Sequence, residues 1–358
     1  MRAVAVSGRL VWGVSGVATV LSLAAFAAHL VTAPWTPGQG QQIQGTVSRT
    51  VTIPQPVTSV NVQSYGASVQ VTGARVSHVE VTETIGVPGP GDGTPSVAAA
   101  VHGGQLSVGG PACNTWENCL SFTVTVPRNV AVTVASQGAP VTVSGVAAVN
   151  LDSDSGSMNV SGIDGPVAAT TDGGPLNLTD VTGPLQADTD GGSLTASRVT
   201  APTAILTSGG GPAQLTGSVG TLGVYTDGGS ADVRLTTAPA TVTVDTGGGP
   251  GMLAVPNAVT TPKATVSTDG GSARVTGSIR TLGVYTDGGP ADVGLATAPD
   301  TVTIDTDGGS GMLAVPGGPY DLTTDGDGGS QSVTIATSPT ATRSITLTTG
   351  GGPLQIEP

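Results

Sequence analysis

A turn motif of the form Thr-Asp-Gly-Gly-Pro/Ser recurs along most of the chain and limits its possible folds more than any other feature. The copies are spaced by 17 to 23 residues, about 19 on average, and each lies between segments of alternating apolar and polar residues. That alternation is typical of β-strands joined by tight turns. The copies, of which three are degenerate, begin at Ser136, Ser153, Thr171, Thr189, Thr207, Thr226, Thr246, Thr268, Thr286, Thr306, Gly326 and Thr349.

A unit of this length cannot bury an apolar face alone, whereas stacked copies form a continuous core. The spacing therefore predicts an all-β chain that forms a β-solenoid (parallel β-helix) of ~19-residue coils. An antiparallel meander or sandwich, with the same turns as hairpins, is the alternative. The C-terminal GGPLQIEP contains no obvious cap, so we expect its strand to be an open edge.

A close duplication overlies the repeat: 213–256 and 273–316, offset by 60 residues, are identical at 33 of 44 positions. Period-2 alternation in the second copy predicts two faces. The buried face would contain Leu282, Val284, Ala291, Val293, Leu295, Val302 and Ile304, and the outward face Gly283, Tyr285, Asp292, Gly294 and Thr303.

The composition suits a narrow interior, because the chain has nine aromatic residues in 358 and is rich in valine and threonine, which fit a pleated surface. Beyond residue 33 it has nine basic and 24 acidic residues, a net charge of about −15. Lys263 is the only lysine, so nucleic acid is excluded as a partner, since phosphate recognition needs clustered cations.

The N-terminal segment predicts export. Residues 10–33 are uncharged and mostly apolar, long enough to cross a bilayer, and follow Arg2 and Arg9, which would keep the N-terminus in the cytoplasm. We expect a single-pass signal anchor at the cell membrane with an extracellular ectodomain. The alternative is a signal peptide cleaved after Ala27, which would release the protein.

Five regions follow from these signals: a cytoplasmic N-terminus (1–9), the anchor (10–33), a linker (34–45), an N-terminal β region (46–128) and the repeat solenoid (129–358). Cys113 and Cys119 flank NTWEN in the β region. In an exported chain, this close pair predicts a disulfide across a hairpin loop.

Three segments in order carry a resemblance to a known family: SVNVQSYGASVQVTG, then FTVTVPRNVAVTVASQGAPVTVSG, then the train of turn motifs. From about Thr46 onward, the chain resembles the bacterial putative adhesin family of β-strand-repeat proteins, a domain of unknown function. The resemblance implies a β-helix at the cell surface. It implies no catalytic residues.

The repeated aspartates are candidate cation ligands. Stacked turns would place Asp172, Asp190, Asp227, Asp269, Asp287, Asp307 and Asp327 in a column, and four copies have a second acid two residues earlier. The pairs, which could offer oxygen ligands to Ca²⁺, are Asp152 with Asp154, Asp188 with Asp190, Asp305 with Asp307, and Asp325 with Asp327. The structural interpretation is that Asp-Gly is simply favoured in tight turns.

Tyr225 and Tyr285 occupy equivalent positions of the duplication and are candidates for sugar or ligand binding. Enzymatic activity is not expected, because the repeat contains no histidine and its basic residues are scattered. We therefore predict a non-enzymatic surface adhesin or envelope scaffold, with wall polysaccharide or surface proteins as partners. An envelope-stress sensing ectodomain is the alternative, and a solenoid carbohydrate-active enzyme is less favoured.

Overall fold

The computed structural model of the protein describes residues 45–87, 99–109 and 119–358. Within these ranges the regular secondary structure is all β, and no helix capable of spanning a bilayer is found among them. The predicted anchor at 10–33 and Cys113 lie outside the described residues, as does the side chain of Cys119, so the anchor and the disulfide stay predictions.

The N-terminal strands are β1 (Gly45–Ile53), β2 (Ser59–Ser64), β3 (Ser68–Ala74), β4 (Val79–Val87), β5 (Ala99–His102), β6 (Gln105–Val108) and β7 (Cys119–Pro127). Those of the first half of the repeat are β8 (Ala131–Ser136), β9 (Val141–Ser144), β10 (Ala148–Ser153), β11 (Met158–Ile163), β12 (Val167–Thr171), β13 (Leu176–Val181), β14 (Leu185–Thr189) and β15 (Leu194–Ser208). The next are β16 (Ala213–Thr226), β17 (Ala231–Leu235), β18 (Thr241–Thr246), β19 (Gly251–Ala254), β20 (Thr261–Thr268), β21 (Ala273–Gly277), β22 (Ile279–Thr286) and β23 (Ala291–Leu295). The last are β24 (Thr301–Thr306), β25 (Gly311–Ala314), β26 (Asp321–Asp325), β27 (Gln331–Val333), β28 (Ser344–Thr349) and β29 (Leu354–Glu357).

These strands form a β-solenoid in which each coil contributes one strand to each of two sheets. Sheet 1 has the order β5-β6-β2-β8-β10-β12-β14-β15-β16-β18-β20-β22-β24-β28-β26. Sheet 2 has the order β1-β4-β7-β3-β9-β11-β13-β15-β16-β17-β19-β21-β23-β25-β29-β27. The long strands β15 and β16 pass from one sheet into the other. Pairing is parallel throughout the repeat, as the solenoid prediction requires, and antiparallel only at β1–β4, β4–β7 and β5–β6.

The core lies between the two sheets and consists mainly of valine, leucine and alanine. The narrow interior is evident at Gly251 of sheet 2, where a β-carbon would lie 3.2 Å from a methyl group of Val266 in sheet 1. The predicted buried face of the second duplicate is confirmed, because each of its seven residues is buried. At Gly251 the two sheets therefore leave little room for a side chain.

Buried hydroxyl groups stack at the end of sheet 1, where each strand enters the turn that follows it. The column consists of Ser64, Ser136, Ser153, Thr171, Thr189, Ser208, Thr226, Thr246, Thr268, Thr286, Thr306 and Thr349, all buried. Each hydroxyl bonds to a backbone group three residues later, as from Thr306 to the Gly309 carbonyl at 2.7 Å. The motif begins with serine or threonine because this side chain closes the turn while filling the core.

The structure corrects one member of that column. The predicted motif start at Thr207 is wrong by one residue, because Ser208 pairs with Thr189 in the preceding coil and Thr226 in the next. The hydroxyl of Ser208 reaches the Gly211 carbonyl at 2.7 Å, so Thr207 faces outward.

A column of glycines follows three residues after the hydroxyl column. It contains Gly156, Gly174, Gly192, Gly211, Gly229, Gly249, Gly271, Gly289, Gly309, Gly352 and Gly329. A β-carbon at any of them would lie 1.9–2.2 Å from the carbonyl oxygen of the stacked residue in an adjacent coil. The second glycine of the motif is therefore fixed by the close approach of neighbouring coils.

The two ends of the solenoid are not stacked in chain order. The C-terminal coil of β28 and β29 lies between the β24/β25 coil and the β26/β27 coil, which is outermost. The expectation that GGPLQIEP forms an open edge is therefore wrong, because β29 is paired on both sides. Residues 315–320 connect β25 to β26 past this coil. They include the buried Tyr320, whose hydroxyl donates to the Pro316 carbonyl at 2.6 Å.

The N-terminal end has the same arrangement, since the β2/β3 coil lies between the β6/β7 coil and the β8/β9 coil. Beyond it, the antiparallel strands β4 and β1 extend sheet 2, and β5 extends sheet 1. The predicted N-terminal β region is thus continuous with both sheets of the repeat.

Candidate functional site: an outer strip of sheet 1

Tyr225 and Tyr285 lie in one column on the outer surface of sheet 1. The residues paired across successive strands are, in order, Tyr225, Asp245, Ser267, Tyr285 and Asp305. We call this column the tyrosine strip. The tyrosine rings are separated by three strand intervals, about 14 Å at ~4.8 Å per interval.

Each ring lies along its own strand, above a glycine two residues earlier. A β-carbon at Gly223 would lie 2.8 Å from Cε2 of Tyr225, and one at Gly283 would lie 2.9 Å from Cε2 of Tyr285. The glycines thus provide room for the rings beside the backbone, and 41% and 44% of the two tyrosines stays exposed. The Gly-x-Tyr pattern has the same geometry in both duplicates.

A groove of about 290 Å³ opens beside the second ring. It is lined by Ser267, Thr268, Asp269, Tyr285, Thr286, Asp287, Asp305 and Asp307, so four carboxyl groups and one aromatic ring share it. No basic residue is part of this lining. Beside Tyr225, the positions equivalent to Asp269 and Asp307 are Gly209 and Gly247, so the first ring has fewer acids around it.

The acids around Tyr285 differ from several other acids of the repeat in their ion pairing. Asp180, Asp232, Asp292 and Asp300 form ion pairs with arginines, at 2.6 Å for Arg198 and Asp180. In 45–87, 99–109 and 119–358, no ion pair involves the acids around Tyr285. Within the described residues, the acids around Tyr285 thus carry negative charge that no ion pair neutralises.

The predicted aspartate column is present at the turns but is interrupted. Backbone bonds place Asp154, Asp172 and Asp190 in successive coils, and Asp269, Asp287 and Asp307 likewise. Gly209, Gly247 and Gly350 occupy the same position in other coils. A β-carbon at Gly350 would lie 2.8 Å from the Asp307 carboxylate, so these glycines give neighbouring acids room.

Two aspartates of sheet 1, Asp152 and Asp245, have raised pKa values. Burial raises the pKa of Asp152, and the charges of Asp154 and Asp172 raise it further. Burial also raises the pKa of Asp245 in the strip, with a smaller contribution from Asp269. Both carboxylates are therefore less favourable in the folded chain than in water.

The four predicted Ca²⁺ pairs are located differently. Asp305 and Asp307, which form one pair, both line the groove. Asp152 and Asp188 belong to two other pairs and do not lie in adjacent strands, because the strand that contains Thr170 runs between them. Asp325 accepts a bond from the Asp327 backbone N–H at 3.3 Å, which is turn chemistry. No three acidic, histidine or cysteine side chains converge as a metal cluster in the part of the chain that the structure describes. Ca²⁺ binding stays a prediction.

All four acids of the groove and Tyr285 are candidates from the sequence, but the sequence does not predict that they share one groove. Asp269 and Asp287 reach it from the two coils before β24, so their convergence depends on the register between coils. The available signal was the duplication, which places Asp287 two residues after Tyr285 and Asp305 twenty residues after it.

Comparison with known proteins gives structural neighbours only. No protein-family model and no curated protein matches the chain. A solved putative adhesin from Bacteroides fragilis is similar over 70% of this chain and 97% of its own, with 11% identity and a TM-score of 0.34. Putative adhesins from Parabacteroides distasonis and Parabacteroides merdae cover 87% of this chain and 97% and 96% of their own, at 14% and 11% identity and TM-scores of 0.30 and 0.27.

These neighbours have the same description as the family that the sequence resembles. With TM-scores this low, they serve as no evidence for how this chain folds or acts. The β-solenoid rests on the strands and register of the chain itself.

Proposed function

We propose that the protein is a non-enzymatic, adhesin-like binding scaffold of the bacterial cell surface. The observation that supports this proposal is the division of roles between buried and exposed residues of the repeat. The recurring serine, threonine and glycine residues close the turns and allow the coils to stack. The two exposed tyrosines and the acids paired with them lie on the outer face of sheet 1. Such an arrangement suits presentation of a long binding face.

Attachment through residues 10–33 belongs to this proposal. The apolar segment would hold the chain in the cell membrane, and a Pro/Gly-containing linker would lead into the solenoid. A stiff stack of coils would then extend the outer face away from the bilayer. Release after Ala27 would give the same scaffold as a secreted protein.

The proposal is tested in cells that express the full chain and in a matched deletion strain. We expect the deletion to reduce attachment to wall polysaccharide or to neighbouring cells, and re-expression of the full chain to restore it. Unchanged attachment together with an altered response to cell-wall antibiotics would contradict the proposal and favour the sensing alternative.

A further inference from the structure

We propose that the tyrosine strip binds an extended polysaccharide that carries free amino groups, running along the solenoid axis across both rings. This inference rests on the proposed binding function and specifies its ligand. It starts from the two rings, which share one column, one orientation and nearly equal exposure.

The rings suit a sugar polymer better than a peptide. A ring that lies along the strand presents an outer face on which the C–H face of a sugar can stack. The strip crosses the strands in the middle of sheet 1, where backbone groups already pair with both neighbours. A peptide could not add there as an extra strand, which is how extended peptides commonly bind sheets.

Each ring has a carboxylate at the same place in the next strand. Tyr225 is paired with Asp245 and Tyr285 with Asp305, so each ring has one carboxylate at the same position, and the subsite at Tyr285 has further acids beside it. A carboxylate accepts hydrogen bonds from hydroxyl groups, and more strongly from an ammonium group. An ammonium group near a tyrosine ring gains further from cation–π attraction.

Charge selects among polysaccharides. The chain has a net charge of −13, and the groove beside Tyr285 has four acids and no basic side chain in its lining. An acidic polymer would be repelled, and an amine-bearing polymer attracted, over the full length of the strip.

The test uses the purified full chain in detergent and soluble glucosamine oligomers of increasing length, in mildly acidic buffer. We expect affinity to rise steeply once an oligomer spans both rings, about 14 Å, because the second contact becomes intramolecular. Tyr225→Ala and Tyr285→Ala should each weaken binding of long oligomers by about fivefold or more. Tyr65→Ala is the matched control, since Tyr65 is similarly exposed (38%) but lies outside the strip.

A second variant tests the orientation of the ring and keeps the aromatic group. Gly283→Ala would place a β-carbon 2.9 Å from the Tyr285 ring and lift it from the sheet, a displacement that a surface ring can make without unfolding the chain. We expect weaker binding and an unchanged melting temperature. Full affinity in Gly283→Ala would overturn the stacking part of the proposal.

Two comparison ligands complete the test. N-acetylated oligomers of equal length should bind clearly more weakly, and equal binding would refute the requirement for amines. Oligolysine that binds equally well, without loss in the tyrosine variants, would show attraction by charge alone and refute the strip. If no glucosamine oligomer binds while the deletion strain still loses attachment, this inference fails and the proposed function stands.

Discussion

The glycine column leads to a sharp prediction, because two adjacent glycines of one turn have opposite surroundings. A β-carbon at Gly211 would lie 2.0 Å from the Gly192 carbonyl oxygen and 2.5 Å from its carbon. A β-carbon at Gly210 would meet nothing within 4 Å, and its φ lies outside the left-handed region. Gly211→Ala and Gly210→Ala therefore form a matched pair with the same chemical change one residue apart.

The expected cost follows from the separation that Gly211→Ala requires. An ordinary contact begins at 3.4 Å, so the two coils must move apart locally by about 1.4 Å, the difference between 3.4 and 2.0 Å. Such a shift would break the backbone bond from Leu194 to the Pro212 carbonyl, now 2.9 Å long. Overpacking costs ~1–3 kcal/mol and a lost hydrogen bond ~1 kcal/mol, so we expect about 3 kcal/mol of destabilisation.

Gly210→Ala should be neutral, or should stabilise the chain by ~0.4–1 kcal/mol, because alanine restricts the unfolded chain. Urea unfolding followed by circular dichroism gives the overall effect. Hydrogen exchange across 194–213 shows whether opening is local, as expected for stacked repeats with mainly nearest-neighbour contacts. The pair of Gly174→Ala, 2.1 Å from a carbonyl oxygen, and Gly173→Ala, with nothing within 4 Å, repeats the test.

Indistinguishable unfolding curves for Gly210→Ala and Gly211→Ala would refute the reasoning. So would a large loss of stability in Gly210→Ala. Either outcome would mean that coil spacing at this corner does not determine the second glycine of the motif.

Three further predictions test other features. Thr246→Val should cost ~1–2 kcal/mol, because it leaves the buried Gly249 carbonyl without its hydroxyl donor, whereas the outward-facing Thr243→Val should be nearly neutral in the same urea titration. Asp152→Asn should raise the free energy of unfolding at neutral pH: the folded pKa is raised, so the stability that protonation provides is present below the unfolded pKa and lost as pH rises through the folded value. Asp180→Asn should lower the free energy of unfolding at neutral pH, since Arg198 lowers the folded pKa of Asp180. Both differences from the unmodified chain should vanish in acid, and equal effects of either variant at pH 3 and 7 would contradict this. Deletion of 338–358 should yield aggregated chains by size-exclusion chromatography, because it removes a layer that lies between two others; a monomeric, fully folded product would argue against that stacking order.

Much of the repeat could be predicted because local sequence determines its geometry. The motif spacing equals the number of residues per coil, so the shift between paired residues, such as 20 from Thr221 to Thr241 and 18 from Lys263 to Thr281, follows the sequence period. Alternation placed Leu282 and Val284 in the core without knowledge of neighbouring coils.

What could not be predicted depends on contacts between coils. In Thr207-Ser208-Gly209 either hydroxyl residue could begin a turn, and the buried column selects Ser208. The sequence period does not determine the order of the terminal coils. Ser344 pairs with Thr301, 43 residues earlier, and the coil formed by the intervening residues could stack on either side of β28. The acidic groove likewise required the register between three coils.

The displaced terminal coils have a consequence for how such a protein can evolve in length. Each end is closed by its own non-sequential layer, so a new block inserted in the middle leaves both closures untouched. The duplication is of this kind, since its two copies are offset by 60 residues, or three coils, and each copy has its own tyrosine and glycine pair. Recombination between these similar blocks would add or remove one proposed subsite at a time, so the length of the solenoid and the number of subsites would change together in whole blocks.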